Sequence, residues 1–481
     1  MKIIKKALKI IAFLLILLIL ITKIGRILEP KWYDEWMNTE IVDKFYELPK
    51  NSIDVLAVGS SQVIKGFSSL ELYNNYGISA YGLGTEQQSY ANTYAWIKES
   101  LKTQNEKIIC FEIKMLFEET PEAQDRKGID NMKFSLNKLE WIVNDSIEKK
   151  SYENFLSYVF PITRFHSRWK ELESVDYTKQ HTTTSYRGYS IDSELSGNDD
   201  YEILNQNIKE ERQIINDNSL NYFYKIVDFC RERNIDLILI KNPDKDWDEE
   251  RYNTVMRLAK ENSLTYLDFN TEELSSKIEF DYSKDCENTN HLNIYGAEKV
   301  TNYIGKYISE NYDIIDKREN IEYAYLKEEA EKYNSDVENR KLKNIFDAGQ
   351  YLELLGKGDF TLIISQNKKF PNEINDGFNK TLNSLGIDTE KIKKDNYCSI
   401  IQNKKKIVEE SSDSSIKIEE TIFNDMNFII SAGDKASIIL NGNEFSNNHS
   451  GINILVYNNR NNQIVESIFV DIIDGNVVMG R

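Results

Sequence analysis

Two short segments, far apart in the chain, carry residues that could perform nucleophilic chemistry together. The first, residues 55–62, is an apolar stretch that runs into a glycine and then two serines, Ser60 and Ser61. The second, residues 290–297, contains His291, one of only four histidines in the chain. A serine hydroxyl is a weak nucleophile until a neighbouring base accepts its proton, so a serine is informative mainly when a histidine can reach it. The two segments therefore suggest a Ser/His hydrolase site.

Both segments are expected to belong to a parallel sheet with crossover helices. From residue 53 onward, apolar strands alternate with amphipathic segments of helical length, which is typical of this architecture. A serine placed just after a strand would sit at the carboxyl edge of the sheet, and a helix is predicted directly after His291. The predicted strands are 53–58, 78–83, 107–113, 235–240 and 264–269.

Residues 114–215 interrupt this alternation and are interpreted as an insertion above the sheet. The insertion contains Arg164, His166, Arg168 and Trp169, whose cationic, imidazole and aromatic side chains could bind an anionic or sugar substrate. The alternative is an amphipathic helix in which the arginines form salt bridges and the tryptophan packs against its neighbours.

The rest of the chain predicts further parts beyond this first domain. Residues 317–343 are dense in lysine and glutamate, which favours an exposed helix or linker. Strands separated by asparagine-rich turns, together with one helix, then predict a smaller α+β or β-rich domain. The predicted organisation is a cytoplasmic tip and membrane anchor (1–30), a first domain (31–316), a charged linker (317–343) and an accessory domain (344–481).

The first 26 residues predict a membrane segment. Six basic residues and no acidic residue accompany an uninterrupted apolar run over residues 10–22. This run is shorter than the roughly 20 residues needed to span a bilayer, but Lys9 and Lys23 can snorkel and extend the span to residues 7–24. No A-x-A cleavage pattern follows, which favours an uncleaved anchor over a signal peptide. Because the lysine cluster precedes the span, we expect a single-pass cell-membrane protein with a cytoplasmic N-terminus and an extracellular bulk.

Composition narrows the classes of partner and cofactor. The chain has 481 residues, of which 40% are hydrophobic, and this supports packed domains. The whole chain has a net charge of −18, and without the six basic residues of the leader the rest of the chain has a net charge of about −24. Such an acidic domain argues against nucleic acid as a partner. The four cysteines show neither a CxxC motif nor metal-ligand spacing, so we expect buried free thiols, no metal and no cofactor.

The GSSQ and NHLNIYGAEK segments resemble the corresponding blocks of the SGNH/GDSL hydrolase superfamily. The resemblance covers about residues 53–308 and includes the order of strands and motifs. It implies a flavodoxin-like three-layer α/β fold with Ser61 as nucleophile, His291 as base, and Ser60 at a position commonly held by aspartate. It also implies an oxyanion hole that combines the Ser61 N–H with that of Gly84, which belongs to the second block.

The sequence departs from the family pattern at two places. The acid that orients the histidine belongs three residues before it, where this chain has Asn288. Loss of this acid in serine proteases lowers turnover about ten-thousandfold, because an amide cannot stabilise an imidazolium by its charge. Glu287 and Asp285 are the two alternatives that could replace it. The asparagine that the third block contributes to the oxyanion hole is not recognisable.

Two parts of the second domain resemble the interleukin-like epithelial-mesenchymal-transition inducer domain. They are residues 351–386 and residues 439–469, and they stand in swapped chain order. The resemblance implies a circular permutation and an accessory or substrate-positioning role, since such domains accompany sugar-modifying enzymes and some bind glycans. The alternative is a structural β-rich domain without a ligand.

Together these features predict a membrane-anchored extracellular serine esterase or O-acyltransferase. Its expected substrate is a cell-surface polysaccharide or teichoic-acid-like polymer, acylated or deacylated through an acyl-serine intermediate. Such a protein resembles the single-span partner proteins that work beside membrane-bound O-acyltransferases, which implies such an enzyme as a partner. The alternative is a non-catalytic polymer-binding or scaffold protein that retains the hydrolase fold.

Overall fold

The apolar stretch before the two serines forms one strand of a five-stranded parallel sheet in the computed structural model of the protein. This structure describes residues 2–30, 38–177, 185–195, 212–368, 370, 375–422 and 426–481. The strands are β1 (Val55–Gly59), β2 (Ala80–Gly84), β3 (Ile108–Glu112), β4 (Asp236–Lys241) and β5 (Thr265–Asp268). Their spatial order, β2-β1-β3-β4-β5, is that of flavodoxin-like folds, so the predicted fold class is confirmed.

Helices pack against both faces of this sheet because alternate strand residues point to opposite sides. Leu56 and Val58 of β1 lie in one large core cluster, to which several helices contribute, four of them with three or more buried residues each. These four helices are α2 (Asn38–Glu47), α5 (Tyr90–Ser100), α10 (Asp217–Glu232) and α11 (Glu249–Glu261). Gly82 of β2 faces the other way, toward α3. On this side lie α3 (Ser61–Gly66), α4 (Ser69–Tyr76) and α14 (Ile294–Asn311), and α14 contacts both of the others.

The N-terminal helix α1 (Lys2–Leu28) is long and apolar enough to cross a membrane, as an anchor or as a signal sequence. Its side chains are exposed along almost the whole apolar run, whereas Gly25 and Leu28 in its last turn are buried. This last turn packs against helix α9 (Ile162–Phe165) and the 3₁₀ helix His166–Lys170. The end of α1 is therefore part of the first compact unit, residues 1–327.

The predicted insertion is mainly helical where the structure describes it. It contains α6 (Glu122–Asp130), α7 (Leu136–Glu148), α8 (Tyr152–Val159) and α9. Its later part, residues 185–195, returns to the sheet: the Gly82 N–H donates to the Arg187 carbonyl (2.9 Å) and the Ser190 N–H to the Ile64 carbonyl (2.8 Å). Residues 185–195 thus lie beside β2 and α3. The short helices α12 (Glu272–Lys277) and α13 (Tyr282–Asp285) precede the loop that contains His291.

The second compact unit, residues 328–481, is rich in antiparallel β-structure. Helix α15 (Ala324–Lys343) contains its first residues, and α16 (Ala348–Leu355) and α17 (Asp376–Ser384) follow. Its strands are β6 (Phe360–Gln366), β7 (Asn396–Gln402), β8 (Lys405–Ser412), β9 (Ile416–Ile422), β10 (Met426–Ala432), β11 (Ser437–Leu440), β12 (Asn443–Glu444), β13 (Ile452–Asn458), β14 (Gln463–Ile473) and β15 (Asn476–Gly480).

These strands form two packed sheets. A six-stranded sheet has the order β15-β14-β13-β6-β7-β8, and a four-stranded sheet has the order β12-β11-β10-β9. Ile363 and Ile400 of the larger sheet share a core cluster with Phe428 and Ile438 of the smaller one. A second cluster joins α16 and α17 to the larger sheet. The expected α+β, β-rich domain is present. All four cysteines of the chain are buried free thiols, as expected.

Candidate active site

The structure brings the predicted nucleophile and base together at the carboxyl end of β1. The Ser61 Oγ lies 2.8 Å from the His291 Nε2, although the two residues are 230 positions apart in the chain. Ser61 is the first residue of α3, and Asn293 caps the N-terminus of α14 two residues after the histidine. The loop that holds His291 is closed by a hydrogen bond from the Glu287 N–H to the His291 carbonyl (3.0 Å). Two helix starts therefore fix the hydroxyl and the imidazole against each other.

The turn before Ser61 requires a glycine and is supported by a buried carboxylate. Gly59 has a φ of 149°, and a Cβ at this position would lie 2.6 Å from the Cβ of Glu112. The Glu112 Oε2 accepts hydrogen bonds from the Ser60 hydroxyl (2.6 Å) and the Ser60 N–H (3.1 Å). Ser60 in turn caps α3 by accepting from the Gln62 N–H. Glu112, at the end of β3, thus holds the backbone that presents the Ser61 hydroxyl.

The two backbone groups of the predicted oxyanion hole lie at neighbouring strand ends. As the first residue of α3, Ser61 carries one of the N–H groups that a helix start leaves without an intrahelical acceptor. Gly84 ends β2 directly beside Gly59 of β1, and a Cβ on Gly84 would lie 2.9 Å from the Ser60 carbonyl oxygen. The absence of a side chain at Gly84 is therefore a condition for the close approach of the two strand ends. Its role as an oxyanion donor stays a prediction.

Asn288, at the position of the expected acid, contacts the imidazole. Its Oδ1 accepts the backbone N–H groups of Asn290 and His291, each at 3.1 Å. Its Nδ2 lies 3.0 Å from the Glu287 Oε1 and 3.2 Å from the His291 Nδ1. If the amide oxygen and nitrogen were exchanged, the NH₂ group would face two backbone N–H donors and the oxygen would face the Glu287 carboxylate, and neither contact would be a hydrogen bond. The surroundings therefore fix the amide so that its NH₂ group points at Nδ1.

This orientation of Asn288 selects one tautomer of the histidine. Since the amide donates to Nδ1, that nitrogen must be unprotonated and the proton must sit on Nε2, facing the Ser61 hydroxyl. A general base needs the opposite arrangement, with a free electron pair on Nε2 and a proton on Nδ1. The resting hydrogen-bond pattern thus keeps the two residues in contact but does not prepare the imidazole to accept the serine proton.

The two acidic alternatives to Asn288 are engaged elsewhere. The Glu287 Oε2 forms a salt bridge with the Lys65 Nζ (2.8 Å), and Lys65 also binds Asp192 (3.0 Å) from the returning part of the insertion. The Asp285 side chain is buried and binds Lys299 at 2.7 Å and the Asp281 N–H at 2.7 Å. Glu287 is therefore linked to the imidazole through the Asn288 amide, while the contacts of Asp285 are with Lys299 and Asp281.

A buried ion cluster lies beside the Ser/His pair and was not identified from the sequence. The Asp244 Oδ2 binds the Lys241 Nζ (3.0 Å), the Lys114 Nζ (2.9 Å) and the Gln62 Nε2 (2.8 Å). Gln62 follows the nucleophile and also donates to the Asn290 carbonyl (3.1 Å). The cluster therefore connects β4 to both the serine and the histidine loops. Its sequence signal is a charged residue, Lys241, that directly follows the apolar run of β4 at the carboxyl end of the strand.

Burial and nearby cations determine the protonation state of His291. Desolvation lowers its pKa to about 4, and the positive charges of Lys65 and Lys114 act in the same direction. Asp244 opposes this shift only in part. The pKa of Asp244 is itself lowered to about 2 by Lys241 and Lys114, which outweigh the cost of burying its charge. Near neutral pH the imidazole is therefore uncharged, as a proton acceptor must be.

The four predicted substrate-binding residues lie together, next to the end of α1. Arg164 forms a salt bridge with Asp130 (2.8 Å), and Arg168 forms one with Asp176 (3.0 Å). The His166 Nδ1 contacts the Thr163 carbonyl (3.1 Å), and Trp169 is 65% exposed. The arginines are thus engaged in ion pairs, and a substrate-binding role for this group stays a prediction.

No protein-family model matches this chain, and no curated protein matches it. Solved structures are similar to part of it. A candidate lipolytic protein of the G-D-S-L family from Desulfitobacterium hafniense is 10% identical over 52% of this chain and 97% of that chain, with a TM-score of 0.26. A candidate acylhydrolase from Bacteroides fragilis is 13% identical over 59% of this chain and 99% of its own, with a TM-score of 0.28.

A GDSL-like lipase from Bacteroides thetaiotaomicron is 9% identical over 57% of this chain and 98% of its own, with a TM-score of 0.27. Because these identities and TM-scores are low, the fold class rests on the strand order of the sheet, and the site rests on the distances given above.

Proposed function

We propose that this protein is a membrane-anchored serine esterase or O-acyltransferase of the SGNH/GDSL type. The single observation that carries the proposal is the 2.8 Å contact between the Ser61 Oγ and the His291 Nε2 at the carboxyl end of the sheet. In open α/β sheets, this edge is where ligands bind. We propose a cell-surface polysaccharide or teichoic-acid-like polymer as the substrate, because the predicted topology places the domain outside the membrane.

The reaction begins with attack of the Ser61 Oγ on the carbonyl carbon of an acyl ester. The His291 Nε2 accepts the hydroxyl proton, and the carbonyl oxygen becomes an oxyanion that the N–H groups of Ser61 and Gly84 would stabilise. The C–O bond to the alcohol then breaks, and the imidazolium returns its proton to the leaving oxygen. Water or a sugar hydroxyl next attacks the acyl-serine by the same steps in reverse, giving hydrolysis or transfer.

Asn288 raises the free-energy barrier for proton transfer from Ser61 to His291. To accept a proton on Nε2, His291 must first carry its own proton on Nδ1, where the Asn288 NH₂ group stands 3.2 Å away. Two donors would then face each other, and the hydrogen bond between them would be lost. We therefore expect slow turnover of small esters compared with enzymes that have an acid at this position.

The non-catalytic alternative draws its support from the same contact. A chain that only binds a polymer has no need of the Nδ1-protonated tautomer, and the resting hydrogen bonds favour the other one. The binding protein would keep the Ser/His contact as part of its packing. The two functions differ in whether Ser61 reacts, which can be measured directly.

Labelling with a biotinylated fluorophosphonate tests the proposal. The purified protein is expected to incorporate the probe, whereas Ser61→Ala abolishes labelling and His291→Ala strongly reduces it. His449→Ala is the matched control, because it removes an imidazole from the second unit and should not change labelling. A wild-type protein that does not react, or labelling that survives Ser61→Ala, would contradict the enzymatic proposal. Labelling that appears only in Asn288→Asp would favour the polymer-binding alternative.

Retention of α1 as an anchor is the second part of the proposal. Its last turn contributes buried residues, Gly25 and Leu28, and the Arg168 guanidinium donates to the Leu28 carbonyl (2.7 Å). Cleavage near residue 26 would remove Gly25 and break the helical turn that presents the Leu28 carbonyl, which favours an uncleaved helix. Intact-mass analysis of the membrane-extracted protein tests this, since a mass lacking the first 26 or so residues would contradict it. The glycan-linked accessory role of residues 344–481 remains part of the same proposal.

A further inference from the structure

The last turn of α1 is packed against one segment of the insertion, residues 161–170, which we call the collar. Gly25 of α1 faces the Ile162 backbone, and a Cβ at this position would lie at van der Waals distance (3.7 Å) from the Ile162 nitrogen. The Arg168 Nη1 donates to the Leu28 carbonyl at 2.7 Å, while its Nη2 binds Asp176 at 3.0 Å. The collar is thus fixed to the helix end by main-chain packing and by a charge-assisted hydrogen bond.

The collar carries an exposed aromatic residue whose surroundings fit the surface of a bilayer. Trp169 is 65% exposed, and the Lys170 ammonium lies 5.4 Å from its ring centroid. Tryptophan is enriched where membrane meets water, because its ring is apolar and its N–H is polar. A lysine beside it suits the same zone, since its ammonium can contact lipid phosphates.

The position of the collar along α1 locates it at headgroup depth. The exposed apolar side chains of α1 continue to Ile24, which is 46% exposed. Leu28, whose carbonyl binds Arg168, is four residues later, which corresponds to roughly 6 Å of helix rise. The polar zone on each side of the hydrocarbon core is itself about 5–8 Å thick. A residue adjacent to Arg168 therefore lies within the thickness of the headgroup layer when α1 spans the bilayer.

We propose that the collar rests in the headgroup layer, with Trp169 inserted among the lipids as a second attachment point of the first unit. This inference depends on the retention of α1, which is part of the proposed function, but not on any reactivity of Ser61. A domain that is attached to the membrane by one helix alone can rotate about that helix. A second contact with the membrane restricts the directions that the domain can face. The exposed tryptophan thereby acquires a function in orientation.

Fluorescence quenching by brominated lipids tests this contact. The full-length protein is reconstituted into nanodiscs of phosphatidylcholine and phosphatidylglycerol, with or without bromine at carbons 6 and 7 of one acyl chain. Bromine quenches only tryptophans that reach the upper acyl region. Trp169→Phe should abolish part of the quenching seen in the wild type. The matched control is Trp247→Phe, which removes a tryptophan that is only 4% exposed and should leave quenching by lipid unchanged.

Three results would overturn the proposal. The first is an unchanged degree of lipid quenching in Trp169→Phe. The second is strong quenching of Trp169 by aqueous iodide in the same nanodiscs, which would place the collar in solvent. A protein recovered from membranes without α1 would also overturn it, and fluorophosphonate labelling of that shortened protein would still decide the catalytic proposal separately.

Discussion

The Asn288 side-chain amide donates a hydrogen bond to the His291 Nδ1 over 3.2 Å, at the place where an SGNH-type site would have a carboxylate accepting from that nitrogen. The direction of this hydrogen bond is reversed relative to the catalytic arrangement. It is reversed because the amide oxygen is already occupied by two backbone N–H groups of the same loop. The imidazole is therefore correctly placed but wrongly protonated.

Replacing Asn288 with aspartate should restore the acid and raise the rate of Ser61 labelling. One carboxylate oxygen would keep the two backbone hydrogen bonds, and the other would accept from Nδ1–H, which leaves Nε2 free to take the serine proton. We expect an increase of about 10²- to 10⁴-fold, since loss of this acid in a serine protease costs about 10⁴. Asn290→Asp, which adds the same charge two residues away, is the matched control and should give little gain. Equal rates for Asn288→Asp and the wild type would contradict the tautomer argument.

The new carboxylate would stand close to Glu287, whose Oε1 lies 3.0 Å from the Asn288 Nδ2. Repulsion between two carboxylates raises the pKa of one of them. If the carboxylate introduced at position 288 is the one that becomes protonated, it can no longer stabilise a charged His291 imidazolium. The double variant Asn288→Asp/Glu287→Gln should therefore be labelled faster than Asn288→Asp alone. Rates measured for both variants and for Glu287→Gln form the double-mutant cycle that checks this coupling.

The rate of labelling should fall at an unusually acidic pH. The reactive form of His291 is neutral, and its pKa is lowered to about 4 by burial and by Lys65 and Lys114. The rate should therefore stay level from neutral pH down to about 5 and fall with a midpoint near 4, rather than near the 6.5 of an exposed histidine. Labelling rates at stepped pH, with circular dichroism to monitor folding, measure this. A midpoint near 6.5 in a folded protein would be inconsistent with the buried site.

Lys65→Met should raise the pH at which the labelling rate falls, and it should also destabilise the fold. Removal of the cation eliminates the strongest charge that lowers the His291 pKa, so the midpoint shifts to higher pH. It also leaves Glu287 and Asp192, both partly buried, without their shared partner, which costs roughly 1–3 kcal/mol in the free energy of unfolding. Lys65→Met/Glu287→Gln should recover part of the stability while keeping the shifted midpoint. Urea denaturation and the pH profile separate the two effects.

Gly84→Ala should impair labelling more than it impairs folding. The added methyl group would lie 2.9 Å from the Ser60 carbonyl oxygen and would displace the turn that presents Ser61. A loss of about 10²-fold is expected, comparable to the removal of one oxyanion donor. Gly82→Ala on the same strand is the matched control, because the nearest neighbour of its Cβ would be the Val63 Cγ1 at 3.3 Å, a side-chain atom and not a backbone oxygen. Equal effects of the two substitutions would argue against a special role for Gly84.

The sequence by itself determined the parts of the site that depend on local pattern. An apolar strand that ends in Gly59 and Ser60 specifies a nucleophile turn, and a histidine just before an Asn-capped helix specifies the facing loop. The alternation of strands and helices from residue 53 onward also specified the parallel sheet, because hydrophobic periodicity reports which faces are buried. These signals were sufficient to pair Ser61 with His291.

Only the tertiary structure decided how the imidazole is oriented. Glu287 was a reasonable substitute for the missing acid, but Lys65 from α3 and Asp192 from the insertion bind with it in one buried group. The cluster around Asp244 likewise joins residues of three separate segments. Such choices depend on which charges come within about 3 Å of each other after packing, and on which amide oxygen is already occupied. Hydrophobic periodicity carries no information about either, so the chemistry of the site had to be read from the folded chain.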